Sequence, residues 1–146
     1  MMDPMTAVRS VVVENYANFT GRARRSEYWW FFLAFVIVAI ITQLISVWLY
    51  LIVALALLAP GLAVGFRRLQ DTGKPGWYIL IPFGLSLIGL LITPDVDPTG
   101  TTVPNMGALA LAGLFGLVQL VVAILFIWWL TRPSEEGSNT WGPPPA

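Results

Sequence analysis

Two short charged segments hold the side chains that could do chemistry in this chain. Residues 21–27 read GRARRSE and residues 67–74 read RRLQDTGK. Together they carry six cations and two carboxylates, a net charge of +4. A carboxylate can act as a general acid or base, and clustered guanidinium groups bind phosphates or pair with carboxylates. The segments therefore leave open acid–base catalysis, anion binding or a structural network of ion pairs.

The residue types that are missing narrow this choice. The chain has no cysteine and no histidine, which argues against disulfides, thiol nucleophiles, imidazole bases and nearly every transition-metal site. We predict no cofactor, no metal and no enzyme activity, because Glu27 and Asp71 are the only acids near the motifs and both can be explained as ion-pair partners. The zero net charge predicts no nucleic-acid partner.

Composition and hydropathy indicate a membrane protein. Of 146 residues 57% are hydrophobic and 11% are charged, whereas soluble domains are about a quarter charged. The run from Tyr28 to Phe66 lacks any charge, and as one helix it would be about 58 Å long against a hydrocarbon core near 30 Å. It must fold back, and the interfacial aromatics Trp48 and Tyr50 mark the turn. We predict two spans, at about 28–46 and 50–66.

Later apolar stretches complete the predicted topology. Spans at about 77–92 and 106–130 are joined by a loop at 93–105 that is rich in Pro, Gly and Thr. Loops rich in Lys and Arg stay in the cytoplasm. The loop at 93–105 has neither residue, so it is predicted to be external. The N-terminal segment 1–27 and the tail 131–146 are predicted to be cytoplasmic.

These spans predict the fold class: all-α, an integral membrane four-helix bundle forming a single domain over residues 1–146. Residues 5–19 predict a short additional helix, with apolar residues at steps of three and four. Asp3 fits its cap and Pro4 its first helical residue. Two interpretations stay open, an amphipathic helix in the headgroup plane or a helix docked on the rest of the protein.

Small residues one helical turn apart occur in two spans. They are Gly61 and Gly65 in the second span, and Ala108, Ala112 and Gly116 in the fourth. Small side chains let membrane helices approach closely. We interpret them first as packing within the chain and second as the seam of a homo-oligomer.

Two segments resemble a known family. FTGRARRSEYWWF at 19–31 and FRRLQDTGKPGWYILIP at 66–82 resemble the signature segments of domain of unknown function 805, a family of bacterial inner-membrane proteins. The tail NTWGPPP at 139–145 is similar to the family's terminal motif but lacks its Arg and Asp. Gln70 stands where the family has histidine. The resemblance implies a helical fold in the bacterial cytoplasmic (inner) membrane, and it implies no activity.

The predicted topology brings both charged motifs to one cytoplasmic rim. There the carboxylates can pair with arginines at the dry edge of the bundle. The candidate pairs are Asp71 with Arg22 or Arg25, and Glu27 with Arg67 or Arg68. Between the motifs, Gly73 is predicted to stop the second span and Gly76 to shape the bend into the third.

The rim is the candidate functional region. Its predicted members, structural or ligand-binding, are Gly21, Arg22, Arg25, Glu27, Tyr28, Trp29, Arg67, Arg68, Asp71, Gly73, Gly76 and Trp77. We favour structural anchoring over recognition of anionic headgroups, because the positive-inside rule alone explains most of the charge.

Three functions remain open. The leading hypothesis is a non-catalytic inner-membrane component that binds a protein partner or anionic membrane lipid through the basic, aromatic rim. The alternative is a small oligomeric passive transporter or channel. A proton-coupled transporter is disfavoured, because the predicted spans contain no ionisable side chain. A headgroup-modifying enzyme is a third hypothesis, and it would require Glu27 or Asp71 as the catalytic acid.

Overall fold

The computed structural model describes residues 2–92 and 105–145. Its helices are α1 (Pro4–Arg9), continued by a π-helical turn (Ser10–Glu14), α2 (Arg25–Ile45), α3 (Val47–Asp71), a 3₁₀ turn (Gly76–Ile79), α4 (Leu80–Ile92) and α5 (Met106–Thr131). Within these ranges β geometry is confined to an isolated bridge between Asn139 and Gly142. The predicted all-α class is confirmed.

Three helices of the described chain, α2, α3 and α5, are long and apolar enough to cross a membrane. The third apolar stretch is shorter, since α4 has 13 residues and a length of about 20 Å. Apart from Asn105, the predicted external loop at 93–105 lies outside the described residues. The number of crossings therefore stays a prediction.

The chain divides into two compact units. The first comprises Met1–Ile79 together with Trp129–Ala146, and the second comprises Leu80–Trp128. The first unit contains both charged motifs and the tail. The second contains α4 and most of α5. The candidate functional residues therefore belong to one unit.

A helical hairpin forms the centre of the first unit. Only Ser46 separates α2 from α3, and its extended backbone (φ −165°, ψ 137°) breaks the helix. Its Oγ accepts a hydrogen bond from the Trp48 amide at 3.2 Å and caps α3. The predicted fold-back is confirmed. It lies slightly earlier than Trp48 and Tyr50 suggested.

The helix α3 extends beyond the predicted span. The sequence predicts a span at about 50–66, before the charges, whereas the helix begins at Val47 and continues through Arg67 and Arg68 to Asp71, two residues before the predicted stop at Gly73. Both guanidinium groups and the carboxylate are buried and paired, so these charges lie within the helix.

The two sets of small residues behave differently. A Cβ added at Gly61 would lie 3.7 Å from the Phe31 ring, and one at Gly65 would lie 3.1 Å from Ile79. These glycines pack within the first unit, as predicted. In the second unit, Gly116 is exposed and no described atom lies within 4 Å of its added Cβ. The packing interpretation therefore stays a prediction for Gly116.

The N-terminal helix begins as the sequence predicts. Asp3 caps α1, its Oδ1 accepting from the Thr6 amide at 3.0 Å, and Pro4 is the first helical residue. Hydrogen bonding by the Thr6 side chain, and then by the Thr6 amide, holds the pKa of the Asp3 carboxyl below its usual value.

The remainder of the N-terminal helix differs from the prediction. Helical geometry ends at Glu14 instead of residue 19. Its buried residues are Ala7, Ser10 and Val11, while Met5 of the predicted apolar stripe is 79% exposed. Because this buried face packs against α2 and α3, the structure favours the docked interpretation.

Tyr16 compensates for a defect in α3. Proline has no backbone N–H, so Pro60 cannot donate to the carbonyl of Ala56, four residues earlier. The Tyr16 hydroxyl donates to that carbonyl instead. In a bilayer a backbone carbonyl without a donor is costly, because lipid offers no hydrogen bond. The N-terminal segment thus completes the hydrogen bonding of a predicted span.

Removing this hydroxyl by Tyr16→Phe is expected to lower the free energy of unfolding by about 1–3 kcal/mol. With Pro60→Ala already present, the same change is expected to cost much less, because the new amide at position 60 can donate to Ala56. A double-mutant cycle measured by detergent-induced unfolding tests this. Equal losses in both backgrounds would show that Tyr16 does not serve the carbonyl freed by the proline.

Candidate functional site

Asp71, the last residue of α3, lies at the centre of the charged motifs. Arg22 Nε donates to its Oδ1 at 2.9 Å, and Arg68 Nη1 and the Ser134 hydroxyl both donate to its Oδ2. The side chains of Asp71, Arg22 and Arg68 are fully buried. Of the two predicted partners for Asp71, Arg22 is therefore the correct one, and Arg68 is an additional partner.

A second ion pair joins the ends of the hairpin. Arg67 Nη2 donates to Glu27 Oε1 at 3.0 Å, and the Ser10 hydroxyl donates to the same oxygen at 3.1 Å. Both charged side chains are 5% exposed. Glu27 lies in the first turn of α2 and Arg67 near the C-terminus of α3, where the helix dipoles favour these charges. The predicted pairing of Glu27 with Arg67 is confirmed.

The tail wraps around these arginines. Arg22 donates to the carbonyls of Gly137 at 2.6 Å and Glu135 at 2.5 Å. Arg68 Nε donates to the Leu130 carbonyl at 3.0 Å. The last carbonyls of α5 have no donor within the helix, so a guanidinium group caps them. Arg22 and Arg68 therefore join three parts of the first unit.

Asn139 anchors the remainder of the tail. Its Nδ2 donates to the Gln70 carbonyl at 3.0 Å and to Glu135 Oε2 at 2.8 Å. Two backbone hydrogen bonds, of 3.0 and 3.1 Å, pair Asn139 with Gly142. The tail has no regular helix or strand, yet it is docked through its own side chains and carbonyls. We call Arg22, Glu27, Arg67, Arg68 and Asp71 the buried ion-pair cluster.

Two glycines shape the turn after α3. Gly73 has φ +73°, which stops the helix as predicted, and an added Cβ would lie 3.0 Å from the Glu135 carboxylate. An added Cβ at Gly76 would lie 2.0 Å from the Phe66 ring, so a side chain there would displace the ring. The predicted stop at Gly73 is confirmed, and at Gly76 the structure shows a close approach to Phe66. Trp77 follows and is 56% exposed.

Lys74 lies in the same turn. Its Nζ is 5.3 Å from the centroid of the Trp129 ring, within reach of a cation–π interaction. Burial, reinforced by the nearby charge of Arg132, lowers the pKa of Lys74 below its usual value. Lys74 thus belongs to the packed turn.

A groove adjoins the buried ion-pair cluster. It has a volume of about 590 Å³, and its lining includes Arg24, Arg25, Trp29 and Trp30 from the start of α2 and Pro133 and Pro144 from the tail. We call it the arginine–tryptophan groove. Arg25 is exposed and its Nη1 lies 3.4 Å from the Thr131 carbonyl. The Arg24 carbonyl accepts from the Tyr28 amide at 3.2 Å, and in the described part of the chain its side chain has neither an ion pair nor a hydrogen bond. Both guanidinium groups can therefore meet an anion.

No grouping of three or more acidic side chains that could hold a metal ion occurs in the described ranges.

A family model described as Protein of unknown function (DUF805) matches residues 16–143. The chain belongs to the DUF805 family. It is 40% identical over 88 residues to Inner membrane protein YhaI of Escherichia coli (strain K12), covering 56% of this chain and 74% of that protein. It is 38% identical over 92 residues to Inner membrane protein YhaH of the same organism, covering 56% and 75%. No solved structure matches.

In this DUF805 member, the predicted site residues separate into two environments. Five of them form the buried ion-pair cluster, and the others frame it. Gly21 turns the chain into the first motif with φ +88°, and Tyr28 and Trp29 pack edge to face at 5.3 Å. Every charge of the cluster is paired within the protein, and Arg67 Nε is buried without a hydrogen-bond partner among the described residues. The accessible cations are at its border.

The sequence prediction missed two parts of this DUF805 site. Arg24, which lies in the charged motif at the rim, and Trp30 line the groove but were not singled out as candidate site residues. The tail residues Ser134, Glu135 and Asn139 were also missed. The one available signal was the tail motif, whose Asn and Gly form the bridge of Asn139 with Gly142.

Proposed function

We propose that this DUF805 protein is a non-catalytic component of the bacterial inner membrane that binds anionic phospholipid headgroups in the arginine–tryptophan groove. The observation that carries the proposal is the contrast between the motif cations. Arg22, Arg67 and Arg68 are paired with carboxylates in the buried ion-pair cluster. Arg24 and Arg25 instead line the open arginine–tryptophan groove, which has a volume of about 590 Å³.

The predicted location supports this function. The names of two relatives, Inner membrane proteins YhaI and YhaH, place those proteins in the inner membrane. All eight cations of the chain belong to the sequence of the first unit, and cations next to membrane spans favour the cytoplasmic side. The groove would then lie at the anionic cytoplasmic leaflet, with Trp29 and Trp30 at headgroup level.

The expected strength of binding is moderate. Each basic residue near an anionic leaflet contributes about 1 kcal/mol, so Arg24 and Arg25 together supply about 2 kcal/mol, or roughly thirtyfold enrichment. The N-terminus of α2 adds a favourable field, since no side chain caps it. A binding free energy of this size selects anionic over zwitterionic lipid, and the bound lipid still exchanges rapidly with the lipids of the bilayer.

The hydrogen bonds of the two buried carboxylates support a role without catalysis. A general acid must reach the atom that it protonates. Glu27 and Asp71 are buried and their oxygens accept from arginines and hydroxyls of the protein. Their carboxylates act as counter-charges that hold the hairpin and tail together.

Native mass spectrometry of the full chain tests the proposal. The wild type is expected to retain phosphatidylglycerol in preference to phosphatidylethanolamine, and the double variant Arg24→Gln/Arg25→Gln is expected to lose most of a roughly thirtyfold preference. Arg9→Gln is the matched control, because Arg9 is an exposed cation of the same segment that pairs with Glu14 at 3.4 Å. Equal retention of the two lipids by the wild type, or an unchanged preference in the double variant, would reject the proposal.

A further inference from the structure

A second groove adjoins the arginine–tryptophan groove on the surface of α2. It has a volume of about 400 Å³ and is lined by Trp29, Trp30, Phe32, Leu33 and Val36. Trp29 and Trp30 line both grooves, so the two share a boundary. All lining residues of the second groove are apolar or aromatic. We call it the apolar track.

We infer that the two grooves form one site for a single anionic phospholipid, with its phosphate at Arg24 and Arg25 and one acyl chain along the apolar track. This inference rests on the proposed function and specifies its ligand. It turns a general attraction between cations and a charged leaflet into a defined site.

The dimensions of α2 match this ligand. From Arg25 to Val36 the helix rises about 16 Å, at 1.5 Å per residue. One leaflet of the hydrocarbon core is about 15 Å thick. The site would therefore run from headgroup level to the middle of the bilayer, the span of one phospholipid.

The order of side-chain types along α2 also matches the order of chemical groups in a phospholipid. The guanidinium groups come first, the tryptophans mark the boundary, and the aliphatic residues follow. Phe32 and Leu33 are 43% and 47% exposed, so the track is open on the surface of a helix long enough to span a membrane. The positive charge of the arginine–tryptophan groove selects an anionic occupant. The apolar track would lie in the hydrocarbon core, where acyl chains surround it.

The apolar track can contribute only packing energy. Surrounding lipid is as apolar as the track, so burying an acyl chain there gains no hydrophobic free energy. The gain comes from van der Waals contact with the tryptophans and leucine. Obstructing the track should therefore weaken binding several-fold without changing the charge preference of the groove.

The variant Leu33→Trp fills the track and leaves both arginines in place. Ile41→Trp is its matched control, since Ile41 is 51% exposed on the same helix and does not line the track. By native mass spectrometry the wild type is expected to retain one phosphatidylglycerol per chain. Leu33→Trp should lower this retention roughly three- to tenfold, and Ile41→Trp should leave it unchanged. Soluble glycerol phosphate should not displace the lipid.

The outcomes separate the inference from the proposed function. If Leu33→Trp behaves like Ile41→Trp, or if glycerol phosphate displaces the lipid, the acyl-chain site is wrong while headgroup binding at Arg24 and Arg25 stands. If the wild type shows no anionic preference, both fail. A second copy of the chain or another protein bound in place of lipid, and lost with Leu33→Trp, would assign the track to a protein interface and overturn the inference.

Discussion

Replacement of Asp71 by asparagine is expected to lower the free energy of unfolding by about 3–5 kcal/mol. The side chain is fully buried and accepts from Arg22, Arg68 and Ser134. Asparagine keeps the shape but removes the charge, which leaves two buried guanidinium groups without a counter-charge. Loss of one member of a buried ion pair is among the costlier single substitutions.

Unfolding in detergent micelles, followed by the fluorescence of the seven tryptophans, measures this loss. The control is Glu14→Gln, which breaks the pair with Arg9, whose side chains are 56% and 72% exposed. That exposed pair should contribute less than about 1 kcal/mol. If Asp71→Asn costs no more than Glu14→Gln, the carboxylate does not hold the first unit together.

The second large effect is expected at the pair of Glu27 and Arg67. Each single variant, Glu27→Gln or Arg67→Met, is expected to cost about 3–5 kcal/mol, because it leaves one charge buried alone. The double variant is expected to cost clearly less than the sum of the two, because neither charge then remains. The same unfolding measurement in a double-mutant cycle gives the coupling. Strictly additive losses would contradict a direct interaction between the two side chains.

The hairpin and its ion pairs could be predicted because the physics that determines them is visible in residue types. An uncharged run from Tyr28 to Phe66 is too long for one crossing, and folding back brings the arginines of one motif beside the carboxylate of the other. That geometry leaves Arg22 or Arg25 for Asp71 and Arg67 or Arg68 for Glu27, and the structure selects Arg22 and Arg67.

The docking of the tail could not be predicted, since backbone carbonyls make most of its contacts. Arg22 binds the carbonyls of Glu135 and Gly137, and Arg68 binds that of Leu130. Every residue has a carbonyl, so no residue pattern marks the ones that will be used.

The contact of Tyr16 with Ala56 could be predicted in part. Pro60 shows that the Ala56 carbonyl lacks its helical donor, but the sequence does not indicate which other group donates to it. The arginine–tryptophan groove was missed for a different reason. Its accessible cations are distinguished from buried ones only after folding. Arg24 and Arg22 are two residues apart, yet one is part-exposed and the other is buried. The predicted alternative of a passive oligomeric channel stays a prediction.

The side of the membrane on which the first unit lies is the most direct test of the account, because the groove can meet the anionic cytoplasmic leaflet only from the cytoplasm. The chain has no cysteine, so single cysteines can be placed at Ser138, exposed in the tail, and at Asp97 in the loop between the last two apolar stretches. With an impermeant maleimide applied to intact spheroplasts, Asp97→Cys is expected to be labelled, and Ser138→Cys only after the membrane is disrupted. Labelling of Ser138→Cys in intact spheroplasts would contradict the account.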